Sequence, residues 1–129
     1  MKQSKILMKI ADSGERQKFK TGAHRDKSVG KGRMDLLPMR ALIHLSKHFE
    51  EGAIKYNLRN WEMGIPLSSF ADSGMRHFAK FMIGMNNEPH FVAVCWNFMC
   101  MLDTALRIKD GSLPKELNDL PNFNIETMI

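Results

Sequence analysis

Between Phe91 and Leu102 every residue is apolar except Asn97. A helix of that composition has no polar face to give to water, so it must be covered nearly all round, as the centre of a bundle or as a subunit interface. The stretch is 12 residues long, short of the roughly 20 that cross a bilayer as a helix. No membrane span is expected from it. The helix is predicted over about 89–109, with Glu88 and Pro89 at its start, where an acid suits the helix dipole, and Gly111 and Pro114 after its end.

Two further helices are predicted upstream. Leu42, Leu45, Phe49, Ala53 and Tyr56 recur at helical spacing behind Pro38, which gives helix one over about 37–56. Asn57 to Pro66 reads as a connection, with Ser68 or Ser69 as the cap of the next helix. Phe70, Gly74, His77, Phe78, Phe81 and Met85 then form the stripe of helix two, ending near Gly84. Three helices of this length leave a side open. The expected fold is therefore an all-α, compact helical bundle, assembled as a homo-oligomer, a dimer or larger, through helix three. The tail to Ile129 is expected to pack along the outside.

Charge divides the chain. Residues 1–34 hold ten Lys or Arg against three acids, and residues 35–129 hold nine against eleven. With Gly14, Gly22, Gly30 and Gly32 and no helical stripe after Ile10, residues 1–34 read as a basic arm with at most a short N-terminal helix, ahead of a helical domain over 35–129. Such an arm suits a phosphate-rich ligand, or is simply solvated. Nucleic acid is the least favoured partner, because the remainder is slightly acidic and shows no recognition helix. Cys95 and Cys100 form neither a disulfide framework nor a zinc set and read as reduced core thiols. The start lacks the apolar run of a signal peptide, so a cytoplasmic location is expected, the host cytoplasm if the chain is phage-encoded.

The polar groups on apolar faces are the candidates for chemistry. Asn97 must find partners or cost roughly 1–3 kcal/mol, so it either ties helices together or faces a ligand. His90 lies two helical turns before it on the same side. His77 sits on the apolar side of helix two, as a core histidine or as a ring near a phosphate or metal. Glu50 and Glu51 end helix one, and one of them should face inward with Phe49 and Ala53; Mg²⁺ would need Glu88 or Asp72 to come near them, since it takes oxygen ligands from more than one element. Lys55, Tyr56, Arg59, Asn60 and Trp61 supply a cation, an amide and rings, enough to grip a phosphate and stack on a base. There is no P-loop, G-x-G-x-x-G, C-x-x-C, H-E-x-x-H or G-x-S-x-G. Spacing alone names no reaction.

Order carries more than spacing. Thr21-Gly22-Ala23 with Arg25-Asp26, Gly30-Lys31-Gly32-Arg33 with Asp35-Leu36-Leu37-Pro38, Phe49-Glu50 with Gly52-Ala53 and Lys55-Tyr56, Asn60-Trp61-Glu62 with Gly64-Ile65-Pro66, Asp72-Ser73 with Arg76-His77, Glu88 with His90, and Trp96-Asn97 follow one another along the chain. This series, over roughly residues 12–121, resembles the dATP/dGTP diphosphohydrolase family of bacteria and phages, itself similar to the MazG-like all-α nucleotide pyrophosphohydrolases. The resemblance implies an oligomeric Mg²⁺-dependent enzyme that splits a purine deoxynucleoside triphosphate into monophosphate and pyrophosphate. It implies Glu50, Glu88 and His90 as catalytic groups, and Glu50, Glu51 and Glu88 as metal ligands. Lys31, Arg33, Lys55 and Arg76 would hold phosphates, His77, His90 and Asn97 would line the cavity, and Tyr56, Asn60 and Trp61 would meet the nucleotide. Two features depart from the pattern. Pro89 stands where an Asp is common between the Glu and the His, and no ExxE or ExxD pair of the MazG-like kind is present. The alternative is a protein that binds a nucleotide, or an immune-signalling cyclic nucleotide, without turning it over.

Overall fold

A computed structural model describes residues 9–128, and the chain divides into two units, Met1–Leu37 and Pro38–Ile129. The short helix expected at the start of the chain lies outside the described residues. In the first unit the remainder of the arm is not irregular. Strand β1 (Arg16–Lys18) pairs antiparallel with β2 (His24–Asp26), Arg16 opposite Asp26 and Lys18 opposite His24. Gly22 closes the turn, its N–H donating to the Phe19 carbonyl at 3.0 Å, with a φ of +87° that glycine adopts without strain. All strand residues but the half-buried Asp26 are exposed, so polar groups rather than apolar burial hold them. Asp26 accepts from the Ser13 hydroxyl and from Lys31 Nζ at 3.2 Å, contacts that hold its carboxyl well below the usual range. Arg16 donates to Asp12 at 2.7 Å. The expectation for this arm was at most a short N-terminal helix, and the hairpin is an element that expectation did not contain. Strand patterning looks for apolar alternation, and this hairpin has none.

The second unit is built on α1 (Met39–Tyr56), α2 (Leu67–Met82) and α3 (His90–Lys109). α2 lies along α3, and α1 meets α3 over a smaller area. The close approach of α2 depends on Gly74: a Cβ there would stand 2.5 Å from Cε1 of Phe98. The expected cap of α2 by Ser68 or Ser69 does not form, because Pro66 occupies the cap position. Instead the tail returns a carboxylate. Ser68 donates its backbone N–H to Asp119 at 2.9 Å, and its hydroxyl donates to the other oxygen of the same group. An anion at a helix N-terminus is favourable.

The tail does more than lie along the outside. Leu67, Ala105 and Ile108 form a buried core against which Leu113, Leu117, Leu120 and Phe123 pack. It is thus a wall of the core at the C-terminal end of α3. Towards solvent, α3 keeps a strip of Phe91, Cys95, Phe98, Met99, Leu102 and Leu106 exposed, so within one chain it is not covered all round. Cys100 is buried but Cys95 is not, which corrects the reading of both as core thiols. Five helical residues rotate by about 140°, enough to carry one thiol from core to surface. α3 has 20 residues and a mean hydropathy of 1.4 over its best 18, so by length and composition it is apolar enough to cross a bilayer. Beyond the 12 uncharged residues, Ala105, Leu106 and Ile108 add further apolar positions, interrupted by Asp103 and Arg107. In the fold that apolarity serves packing, since α1, α2 and the tail all rest on this helix.

Candidate functional site

A cavity of about 620 Å³ opens between the C-terminal half of α1, the connection after it, and the facing parts of α2 and α3. Its walls are aromatic. Phe49 meets Trp61 edge-on at 5.9 Å between ring centres and tilts against Trp96 at 5.8 Å, while Phe70 meets Trp96 at 6.3 Å. The chain positions Trp61 through its neighbours. Glu62 accepts from Arg107 on α3 at 3.1 Å and from Arg59 at 3.2 Å, and the Arg107 guanidinium lies 5.9 Å from the Trp61 ring centre. Arg107 is itself fixed by Asp103, one turn earlier on α3, at 2.8 Å. The connection is thereby pinned to the bundle with its indole facing Phe49.

Polar groups are few and spaced around this wall. Asn97 is 5% exposed, and its Nδ2 donates to the Ala93 carbonyl of its own helix at 2.8 Å. It does not tie helices together; its Oδ1 has no protein partner among the described residues, and the side chain lines the cavity. Trp96 Nε1 is also buried without a partner among the described residues. A buried donor left open like the Trp96 indole N–H awaits a ligand or water. Among the described residues Glu50 is the one acid on the wall and Arg59 the one cation, and Tyr56, Asn57 and Asn60 stand with them. Asn57 and Arg59 hold positive φ, 92° and 57°. Strained backbone of this kind persists only where the surroundings fix it.

Two turns before Asn97, His90 is 2% exposed. Its Nδ1 stands 2.9 Å from Nδ1 of His77 on α2, and its Nε2 stands 2.9 Å from Oδ1 of Asn87. The Asn87 oxygen only accepts, so His90 Nε2 carries a proton; in the neutral ring His90 Nδ1 then offers a lone pair to which His77 Nδ1–H donates. Burial, and then the neighbouring His90, push His77 down towards its neutral form. A ligand oxygen of Glu88 completes a group whose three ligand atoms lie within 4.8 Å of one another. On α1, His48 packs on Trp96 at 5.7 Å. Burial pushes its ring down, and the carboxylates of Glu51 and Glu88 oppose that shift.

The residues expected at the site divide accordingly. Glu50, Tyr56, Asn60, Trp61 and Asn97 line one cavity, and His77, Glu88 and His90 converge as a separate group. Among the described residues, Glu50 and Glu51 do not share the group of close ligand atoms that holds Glu88. Neighbouring positions on a helix project about 100° apart, so Glu50 lines the cavity while Glu51, like Glu88, acts on His48. Lys55 lies over the Tyr56 ring at 4.9 Å, behind the wall rather than in it. Arg76 is paired with Asp72 one turn away and does not line the cavity. Lys31 and Arg33 belong to the first unit, where they face Asp26 and Asp35 at 3.2 and 2.7 Å. Phe49, Phe70 and Trp96 were not among the expected site residues, whereas Arg59 was, as part of the phosphate-gripping run from Lys55 to Trp61. The three aromatic residues are indistinguishable from core in a helical stripe.

An aromatic cavity of this volume, with a few polar groups turned into it, has the form of a small-molecule site. The relationship of the chain is narrower than that. The chain belongs to the family described as dATP/dGTP diphosphohydrolase, N-terminal, whose model matches residues 21–112. The family's description is that of a hydrolase acting on purine nucleotides. Neither the curated proteins nor the solved structures contain a match to the chain.

Proposed function

We propose that this chain hydrolyses a purine deoxynucleoside triphosphate to the monophosphate and pyrophosphate, and so trims a cytoplasmic nucleotide pool. The observation that carries the reading is the cavity itself, in which Phe49, Trp61, Phe70 and Trp96 surround a space of about 620 Å³ edged by the amides of Asn57, Asn60 and Asn97. Flat rings bind a base by stacking, and amides read its edge. Arg59 at the same wall supplies the charge for a phosphate. In the reaction a water oxygen bonds to one of the phosphorus atoms flanking the α–β bridge. The bond from that phosphorus to the bridging oxygen breaks, and the bridging oxygen leaves with the other half.

Mg²⁺ is the ion the resemblance implies, and Glu50 fits it in one respect. An ion that arrives with a triphosphate needs only one or two protein carboxylates beside the phosphate oxygens, and Glu50 is the acid the cavity offers. Bound there, the ion would neutralise phosphate charge. Incubation with each of the eight common NTPs and dNTPs plus Mg²⁺, followed by chromatography, is expected to yield a purine monophosphate without a diphosphate intermediate. Glu50→Gln should lower kcat about 100-fold or more, and Trp61→Ala should act mainly on KM. Failure to convert any nucleotide would end this reading. A second one, binding without turnover, is favoured by the same single carboxylate: nucleotide recovered unaltered from a complex whose melting temperature it had raised would establish it.

A further inference from the structure

We infer that His77, Glu88 and His90 form a binding site for a divalent first-row transition-metal ion, distinct from any Mg²⁺ carried by a nucleotide. The donor set is two imidazole nitrogens and one carboxylate oxygen, all within 4.8 Å of one another. Magnesium takes oxygen ligands, whereas Mn²⁺, Fe²⁺, Co²⁺, Ni²⁺ and Zn²⁺ accept imidazole. The spacing of the two nitrogens is also that of a coordination edge: donors about 2.1 Å from one ion and at right angles to each other stand about 3.0 Å apart, and these stand 2.9 Å apart. Six-coordinate geometry would leave three positions open to water or phosphate oxygen.

The surroundings are those of a ligand pair held in advance. His90 is buried, and Asn87 Oδ1 holds its far nitrogen, the outer-shell contact that fixes the tautomer and turns the Nδ1 lone pair inward. His77 presents its Nδ1 to the same point from a different helix. Metal entry needs no net loss of protons, because neutral His77 passes its proton from Nδ1 to Nε2 through solvent and then offers a second lone pair. The bland alternative, a histidine pair that only locks α2 to α3, accounts for the 2.9 Å contact but gives no role to Glu88 or to the orientation imposed by Asn87.

The test uses the full chain without nucleotide, so its outcome is independent of whether the chain hydrolyses anything. Co²⁺ is titrated into metal-stripped protein and followed by its visible d–d bands and by calorimetry. One equivalent should bind, a large excess of Mg²⁺ should fail to displace it, and Glu50→Gln should leave it unchanged. Glu88→Gln and Asn87→Ala, both at exposed positions, should weaken binding roughly 10- to 100-fold, and His77→Ala should abolish it. The exposed-site variants keep the test valid if His77→Ala unfolds. No uptake of Co²⁺, Mn²⁺ or Zn²⁺ by folded protein, or uptake undiminished in Glu88→Gln and Asn87→Ala, would overturn the inference.

Discussion

Asn57 has the least comfortable backbone in the helical unit. At φ 92° and ψ 160° it occupies a region that only glycine enters freely, directly after the last residue of α1. The strain turns the chain sharply enough to place Asn57 and Arg59 on the cavity wall beside Trp61. Relief of such strain is worth about 1–3 kcal/mol, and a glycine costs about 1 kcal/mol in unfolded-chain entropy. Asn57→Gly should therefore raise the unfolding free energy by roughly 1 kcal/mol, read from urea melts, while weakening nucleotide binding if its amide reads the base. A less stable variant would show that the side chain, not the turn, is what this position needs. Single residues of this kind were unevenly legible. Asn97 stood out because a carboxamide in an apolar run demands an explanation, whereas nothing in the local sequence distinguishes Trp96, with its unpartnered Nε1, from an ordinary core indole. Its role depends on Phe49 and Phe70 arriving from two other helices, and periodicity along one helix carries no information about that.

At the scale of elements, the three helices were legible because each has an apolar stripe long enough to exclude other periods, while the contacts that terminate and join them were not. The N-terminus of α2 is the clearest instance: the local serines suggested a local cap, and the group that serves is Asp119, 51 residues after Ser68. The Ser68 hydroxyl and N–H hold Asp119 below the usual carboxylate range. A carboxyl whose folded pKa is depressed adds stability above its unfolded value, near 3.9, and that contribution disappears as pH falls through the folded value. Asp119→Asn should accordingly lower the melting temperature at neutral pH. The gap between variant and parent should close as the solution is taken well below pH 4. A gap that persists in acid would mean that Asp119 acts by shape rather than by charge. The hairpin of the first unit was illegible for a related reason, since its register rests on Gly22 and on the Asp26 carboxylate rather than on a pattern of side-chain hydrophobicity.

For the whole molecule the open question is what covers α3. Phe91 and Leu102 are each 55% exposed and Leu106 is 44% exposed, on a strip that carries no charge from Phe91 to Leu102. Beside its start, a groove of about 350 Å³ between α1 and α3 is lined by Leu42, Leu45, Phe91, Val92 and Cys95, with Arg40 and His44 at its α1 side. A contiguous apolar surface of this kind marks an interface. We propose that its occupant is a second copy of the chain: an uncharged strip offers nothing to a charged partner, and a two-fold axis lays the strip against its own equivalent, with the groove available to receive a side chain from across the axis. Equilibrium sedimentation should then give twice the 14.8 kDa chain mass, and Leu102→Glu should give a monomer with unchanged helix content. The thiols supply an independent reading. Burial pushes Cys100 up to about 12, so it should resist alkylation until the chain unfolds. Cys95, on the strip, should react quickly in dilute protein and slowly at concentrations where the dimer forms. Concentration-independent labelling of Cys95, together with a monomer mass throughout, would leave the strip without a second copy.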